Sequence, residues 1–114
     1  MKIKVYSIRK HNGRIIRKIE QINDSLEEMQ FFVGGYIEKI PLIPEKNIVI
    51  LCDEEAGLKG SEVTSCWEIF VNGLYKTDLE IKGNHLICKV GRRGFIGLTD
   101  EDIKTIKQIE KRKQ

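Results

Sequence analysis

The run Ile48-Val49-Ile50-Leu51-Cys52 is the stretch of this sequence that decides the fold. Successive residues of a strand point to opposite faces, so five consecutive apolar residues make both faces apolar. The run therefore predicts a central strand that is covered on both faces. The turn formers Pro44-Glu45-Lys46-Asn47 precede it, and a polar, glycine-containing loop from Asp53 to Gly60 follows it. A central strand needs neighbours on both sides, and the rest of the chain supplies candidates for them.

A β-hairpin is predicted at the start of the chain. Ile3, Val5 and Ile8 recur at strand spacing among polar residues, which indicates a half-buried strand. Asn12-Gly13 supplies the positive φ angles of a tight hairpin turn. The segment from Arg14 to Ile19 is then the returning strand, and its outward side chains, including that of Arg17, are expected to be basic.

Further strands are predicted in the middle and later parts of the chain. Tyr36 to Leu42 is one, and Pro41 indicates an edge or an end because proline cannot donate to a sheet. His85 to Val90 is another. The segment from Cys66 to Ile81 fits either a strand or a helix, with a turn at Asn72-Gly73.

Two helices complete the prediction. The first starts at Ser25, which forms a capping box with Glu28, and the second starts at the N-cap Thr99. Gly34-Gly35 ends the first helix, because glycine accepts the left-handed cap conformation. The first helix is expected to bury Leu26, Met29, Phe32 and Val33. The second is expected to bury Ile103, Ile106 and Ile109, with Leu98 packed against Ile103, and to expose Lys104, Lys107, Lys111, Arg112 and Lys113.

These elements predict an α+β fold, a small, mainly antiparallel sheet with two helices, formed as a single domain over residues 1–114. Hydrophobic residues make up 40% and charged residues 32% of the 114, which is typical of a globular domain. A net charge of +3, from 20 basic and 17 acidic side chains, argues against a nucleic-acid polymer as partner.

The compartment expected from the sequence is the cytoplasm. No run has the length of a transmembrane segment, and the N-terminal residues lack the apolar core of a signal peptide. The three cysteines, Cys52, Cys66 and Cys88, are odd in number and widely spaced, so we expect reduced, packed thiols rather than disulfides or a zinc site.

Catalytic groups are few in this sequence. Asp53-Glu54-Glu55 follows the apolar run, where carboxylates can hold a metal ion, but no partner motif accompanies it and a solvated loop is the commoner outcome. His11 and His85 have no nucleophile or carboxylate near them in sequence, so both are expected to be structural or exposed. We therefore expect no enzyme activity, no metal site and no cofactor.

The segment Gly91-Arg92-Arg93-Gly94-Phe95 carries the strongest hint of ligand binding. Two guanidinium groups offer forked donors for phosphate oxygens, and the flanking glycines allow close approach. Phe95 offers a face on which a base can stack. The alternative is an ordinary basic hairpin loop with Phe95 packed into the core.

Two stretches of the chain resemble a known family. Met29 to Glu38, which contains Val33-Gly34-Gly35-Tyr36-Ile37-Glu38, and Asp53 to Gly60 resemble a domain-of-unknown-function family of small phage and prophage proteins. The helix start at Leu98-Thr99-Asp100-Glu101-Asp102 is similar as well. The sequence departs from that family at Ser61-Glu62-Val63. A weaker similarity is to the first-type Thoeris anti-defence sponges of phages.

The resemblance implies a function that spacing alone does not. It suggests a phage protein that sequesters cyclic ADP-ribose-type or cyclic oligonucleotide immune signals without cleaving them, as a homo-oligomer (a dimer or a hexamer). Arg92 and Arg93 with Gly94 would hold phosphates, Phe95 and Tyr36 would stack on bases, Asn84 would contact a base or ribose edge, and Gly34 and Gly35 would allow close approach.

Two other hypotheses remain open at this stage. One is an accessory protein that inhibits a host protein by direct contact, through the Asp53-Glu54-Glu55 loop or the basic C-terminal helix. The other is a metal-dependent phosphodiesterase that uses the same three acids.

Overall fold

The apolar run forms strand β4 (Ile48–Asp53) inside a six-stranded antiparallel sheet, as predicted. In the computed structural model, which describes residues 1–111, all six residues of β4 are buried. Its neighbours in the sheet follow the order β2-β1-β7-β4-β3. The bounds are β1 (Lys2–His11), β2 (Arg14–Asn23), β3 (Ile37–Ile43) and β7 (His85–Gly91). Strand β3, which contains Pro41, lies at the edge.

The remaining strands extend this sheet and form a second one. The short strand β8 (Gly94–Ile96) pairs with β7, and the second sheet has the order β6-β5-β9. Its strands are β5 (Val63–Val71), β6 (Tyr75–Lys82) and β9 (Glu110–Lys111). The ambiguous segment from Cys66 to Ile81 is therefore a hairpin with its turn at Asn72-Gly73, and the class is α+β.

Strand β4 is covered on both faces because its alternate residues belong to two different cores. Ile50 packs with Trp67 of β5 and with Ile106 of helix α2 (Asp100–Ile109). Leu51 points to the opposite face and packs with Met29 of helix α1 (Leu26–Val33). The larger sheet thus lies between α1 on one side and the second sheet with α2 on the other.

Helix α1 begins and ends where its caps predict. Ser25 accepts a hydrogen bond from the Glu28 backbone N–H, and Gly34 ends the helix in the left-handed conformation, with φ 89°. Met29 and Val33 are buried and Phe32 packs beside them, but Leu26 is 55% exposed. The prediction was wrong for Leu26, which lies at the first helical position, outside the buried face.

Helix α2 begins at Thr99, which forms a capping box with Asp102, but it ends earlier than predicted. After Ile109 the chain leaves the helix and forms β9, where Lys111 is exposed, as expected, but pairs with Asp78 at 3.1 Å from a strand and not from a helix. Arg112 and Lys113 lie outside the described residues. Neither described helix is long and apolar enough to cross a membrane.

The buried carboxylate of Glu110 explains this early end. Its side chain is 1% exposed, and it accepts hydrogen bonds from Arg17 Nε and, at 2.9 Å, from the Tyr6 hydroxyl. A buried carboxylate needs such partners, so the chain turns towards them. The prediction of an outward-facing Arg17 was therefore wrong, because its guanidinium folds over to neutralise Glu110.

The cysteine prediction holds for the two thiols next to the central strands. Cys52 and Cys88 are buried, and burial raises the pKa of Cys52 to about 11 and that of Cys88 to about 12. A protonated thiol is a poor nucleophile and a poor metal ligand. Both side chains act as small apolar groups in the core.

His85 is buried in a polar network whose members are too far apart in the sequence to be predicted from it. Its Nε2 lies 2.8 Å from Ser65 Oγ, and its Nδ1 lies 3.0 Å from the Gly83 carbonyl oxygen. Trp67 Nε1 donates to the same Ser65 hydroxyl at 2.7 Å. The neutral tautomer with its proton on Nδ1 satisfies all three contacts. Its complete burial gives His85 a structural role, one of the two outcomes expected for it. Ser65 is 20 positions earlier in the chain and reaches His85 only through the fold.

We predict that this network makes the protein less stable as the pH falls from 6.5 towards 4. Burial lowers the pKa of His85 to about 4 from its ordinary 6.5. Between these two values the unfolded chain binds a proton at His85 and the folded protein does not. The free energy of unfolding should therefore fall by about 2–3 kcal/mol between pH 7 and pH 4.5. Urea denaturation across this range measures the fall.

The control for this prediction is His11→Asn, since His11 is exposed in the β1–β2 turn. That variant should show the same pH dependence as the parent chain. A titration of the His85 ring above pH 6, followed by NMR, would contradict the explanation.

Candidate functional site

The eight predicted ligand residues lie at two ends of the larger sheet. Asn84 precedes β7 and Arg92-Arg93 follows it, so at about 3.3 Å per residue Asn84 and Arg92 are roughly 25 Å apart. Gly34, Gly35 and Tyr36 lie at the Asn84 end, because β3 starts there opposite Asp53 and Cys52 pairs with His85. Arg92, Arg93, Gly94 and Phe95 lie together at the other end.

The Asn84 end contains an open hollow of about 640 Å³, which we call the glycine pocket. It lies between the end of α1, the β1–β2 turn, the loop after β4 and the residues before β7. Its lining comprises Lys10, Asn12, Gly13, Val33, Gly34, Asp53, Ala56, Lys59, Gly60, Ser61, Glu62, Thr64, Gly83 and Asn84. A volume of this size is in the range of small-molecule sites.

Lys59 joins the two stretches that carry the family resemblance, and it also forms an ion pair with Asp53. Lys59 Nζ donates to Asp53 Oδ2 at 2.8 Å and to the Gly34 carbonyl at 2.9 Å. Asp53 Oδ1 accepts from the Glu55 backbone N–H at 2.9 Å. The hydrogen bond from Lys59 lowers the pKa of Asp53, and the same bond raises the pKa of Lys59. The loop is thus held to the end of α1 by charge.

The expectation of a solvated acidic loop was wrong for Asp53, which is buried, while Glu54 and Glu55 are exposed. Asp53 points to Lys59 and not to the other two acids. Within residues 1–111 no three acidic, histidine or cysteine side chains are grouped to hold a metal ion.

Tyr36 and Gly35 line a second hollow, of about 390 Å³, on the other side of the Lys59–Asp53 pair. Tyr36 is 69% exposed, and the neighbouring Phe31 is 88% exposed. Exposed aromatic rings of this kind are typical of surfaces that contact a ligand or another protein.

The opposite end of the sheet carries the basic hairpin. Arg92 and Arg93 form the turn between β7 and β8, both are exposed, and among residues 1–111 neither has an ion-pair or hydrogen-bond partner. Arg93, Gly94 and Phe95 line a hollow of about 460 Å³ together with Lys2 and others. Phe95 is partly buried and packs against the core under α1, which limits the ring face that it can offer a base.

Sequence reasoning missed several polar residues of the glycine pocket. Lys10 pairs with Glu62 at 2.7 Å, and the Lys10 backbone N–H donates to Asn84 Oδ1 at 2.9 Å. Ser61 lies beside them in the lining. These residues come from three distant segments, so no local spacing brings them together. Only Lys59 had a signal, because it belongs to the stretch from Asp53 to Gly60.

We predict that Gly35→Ala disturbs the Asp53–Lys59 pair. A Cβ at Gly35 would lie 2.7 Å from Asp53 Oδ1 and 3.0 Å from Lys59 Nζ, which is too close for either contact. The free energy of unfolding should fall by about 1–3 kcal/mol. Gly57→Ala is the matched control, because its Cβ would meet nothing within 4 Å, and it should change stability by less than about 0.5 kcal/mol. Equal effects of the two changes in urea denaturation would contradict this packing.

Comparison with known proteins adds one finding to this geometry. No curated protein and no solved structure matches the chain. A family model, described as a domain of unknown function (DUF3846), matches residues 3–112. The match includes the basic hairpin and the two stretches that meet where Lys59 contacts the Gly34 carbonyl. The chain belongs to this family of domains of unknown function.

Proposed function

We propose that the protein is a phage anti-defence protein that binds and sequesters cyclic nucleotide immune signals in the host cytoplasm without cleaving them. The signals would be of the cyclic ADP-ribose type or cyclic oligonucleotides. The observation that supports this proposal is the basic hairpin, where the exposed guanidinium groups of Arg92 and Arg93 are not engaged by any described acidic group and Arg93 lines a hollow.

The charge around the hairpin favours a phosphorylated ligand. The side chains that line the hollow include three cations, Lys2, Lys4 and Arg93, and one carboxylate, Asp24, which pairs with the Met1 ammonium group at 3.4 Å. Lys4 is already paired with Asp100 at 2.6 Å, so Lys2 and the two arginines supply the unbalanced charge. Guanidinium groups bind phosphate through two parallel hydrogen bonds, which gives geometry as well as charge.

The separation of the two ends favours a binding site that two protomers share. A compact cyclic nucleotide does not extend over the roughly 25 Å between Arg92 and Asn84 of one chain. In a closed symmetric assembly the hairpin of one protomer can face the Asn84 end of its neighbour. We therefore assign phosphate binding to Arg92 and Arg93 of one protomer, and base or ribose binding to Tyr36, Asn84, Gly34 and Gly35 of the next.

We predict that the double change Arg92→Ala and Arg93→Ala weakens binding of the cyclic nucleotide by about 100-fold. Losing two charge-assisted contacts costs about 3 kcal/mol, which corresponds to that factor. Isothermal titration with a panel of cyclic ADP-ribose-type and cyclic oligonucleotide ligands measures it. The matched control is Lys104→Ala with Lys107→Ala, which removes two exposed cations from α2 and should leave binding unchanged.

Unchanged binding of every cyclic nucleotide by the arginine variant would refute this site. Ligand recovered intact after denaturation of the complex is expected, whereas recovered fragments would indicate catalysis.

An alternative function, inhibition of a host protein, is favoured by Phe31 and Leu58, which are 88% and 89% exposed near the acidic loop. Recovery of one stoichiometric host protein, with no nucleotide binding, would favour that alternative.

We further predict that two defective variants restore each other when mixed. One carries the two arginine changes and the other carries Tyr36→Ala with Asn84→Ala, and each alone should fail to bind. After random subunit exchange in a ring, about a quarter of the interfaces join two intact halves and should bind ligand. A site contained in one chain would show no recovery, and this result would contradict the shared site.

A further inference from the structure

The glycine pocket differs from the basic hairpin in the balance of its charges. Its lining has two cations and two carboxylates, and each cation is already paired, Lys59 with Asp53 at 2.8 Å and Lys10 with Glu62 at 2.7 Å. A phosphate entering the pocket would meet a carboxylate beside each ammonium group, and like charges repel. The pocket therefore favours an uncharged ligand.

The polar groups that remain in this pocket match the hydroxyl groups of a sugar. Asn84 Oδ1 is held by the Lys10 backbone N–H, which leaves the Asn84 amide nitrogen as a donor. Within residues 1–111 neither this nitrogen nor the Ser61 hydroxyl has a hydrogen-bond partner. The carboxylates of Asp53 and Glu62 keep lone pairs that can accept. A hydroxyl group both donates and accepts, so neighbouring donors and carboxylates suit a diol.

The shape of the pocket agrees with this chemistry. Val33 and Ala56 supply an apolar part of the lining against which the C–H face of a sugar ring can pack. Gly83 turns the chain at the edge of the pocket with φ 77°, a left-handed conformation that glycine adopts without strain. Such a site, mostly preformed with a few placed polar groups, is typical for a small ligand.

We infer that the glycine pocket binds an uncharged, diol-bearing sugar, either the ribose of a nucleoside or a free sugar. Asp53 and Glu62 accept from its hydroxyl groups, while Asn84 and Ser61 donate. In the shared site, this sugar would be the part of the cyclic nucleotide that binds to the Asn84 end of the second protomer. In that respect the assignment rests on the proposed function. Sugar binding itself can be measured without phosphate.

The test is a titration of the ¹⁵N-labelled full chain with adenosine, 2′-deoxyadenosine, methyl ribofuranoside and inorganic phosphate, followed by amide chemical shifts. Adenosine should shift the amides of Gly34, Gly60 and Gly83 saturably. 2′-Deoxyadenosine, which lacks one hydroxyl group of the diol, should bind about tenfold more weakly, because it leaves polar groups of the site unpaired. Inorganic phosphate should leave these amides unchanged. If both the riboside and adenosine bind, the sugar alone is sufficient for binding. If adenosine binds and the riboside does not, the ligand is a nucleoside.

Variants connect the shifts to the named side chains. Asn84→Ala should weaken adenosine binding by about tenfold, and Ser61→Ala, which removes only a hydroxyl group, should weaken it to a smaller extent. Lys104→Ala with Lys107→Ala should leave adenosine binding unchanged. An unchanged pattern of amide signals far from the pocket shows that each variant is folded.

Two results would overturn the inference. One is the absence of saturable shifts at the pocket amides with adenosine and with the riboside. The other is adenosine binding that neither the missing hydroxyl nor Asn84→Ala weakens. If either occurs while cyclic nucleotides still bind through Arg92 and Arg93, the proposed function stands and only the sugar assignment fails. If adenosine binds and cyclic nucleotides do not, the sequestration proposal fails and the pocket remains.

Discussion

The burial of strand β4 on both faces is the constraint on which the rest of the structure depends. The consecutive residues Ile50 and Leu51 point to opposite faces and belong to different cores. Helix α1 must therefore cover one face, and the second sheet with α2 must cover the other. Burial of apolar surface on this scale is the main favourable term in folding. It also fixes the position of Asp53, because the strand ends at that residue.

The Asp53–Lys59 pair shows how a strand end becomes a site. A buried carboxylate is costly unless it is paired, and here the backbone N–H of Glu55 and the ammonium group of Lys59 provide the partners. Lys59 also holds the Gly34 carbonyl, so one cation fixes the loop and the end of α1 together. The wall between the glycine pocket and the hollow beside Tyr36 is therefore held by an ion pair as well as by packing.

Local signals in the sequence predicted the elements, and distant contacts account for what they missed. The caps at Ser25 and Thr99 and the apolar run at β4 depend on near neighbours, so the pattern is sufficient. Arg17 was predicted to face water, because nothing near it in sequence indicates the buried Glu110. The predicted ligand residues likewise divided between two ends of the sheet, since chain order does not report which strand ends meet. The sequence also gave no sign that Lys10, Ser61 and Glu62 would gather beside Asn84.

The contact between Tyr6 and Glu110 has a consequence for synthesis in the cell. The two residues are 104 positions apart, and the Glu110 carboxylate cannot meet Tyr6 until helix α2 has left the ribosome. Folds that depend on such remote pairs form slowly, and their early strands wait with open edges. During translation the nascent chain is thus exposed to wrong pairings until Glu110 emerges, and chaperone contact at β1 and β2 would be most useful in that interval.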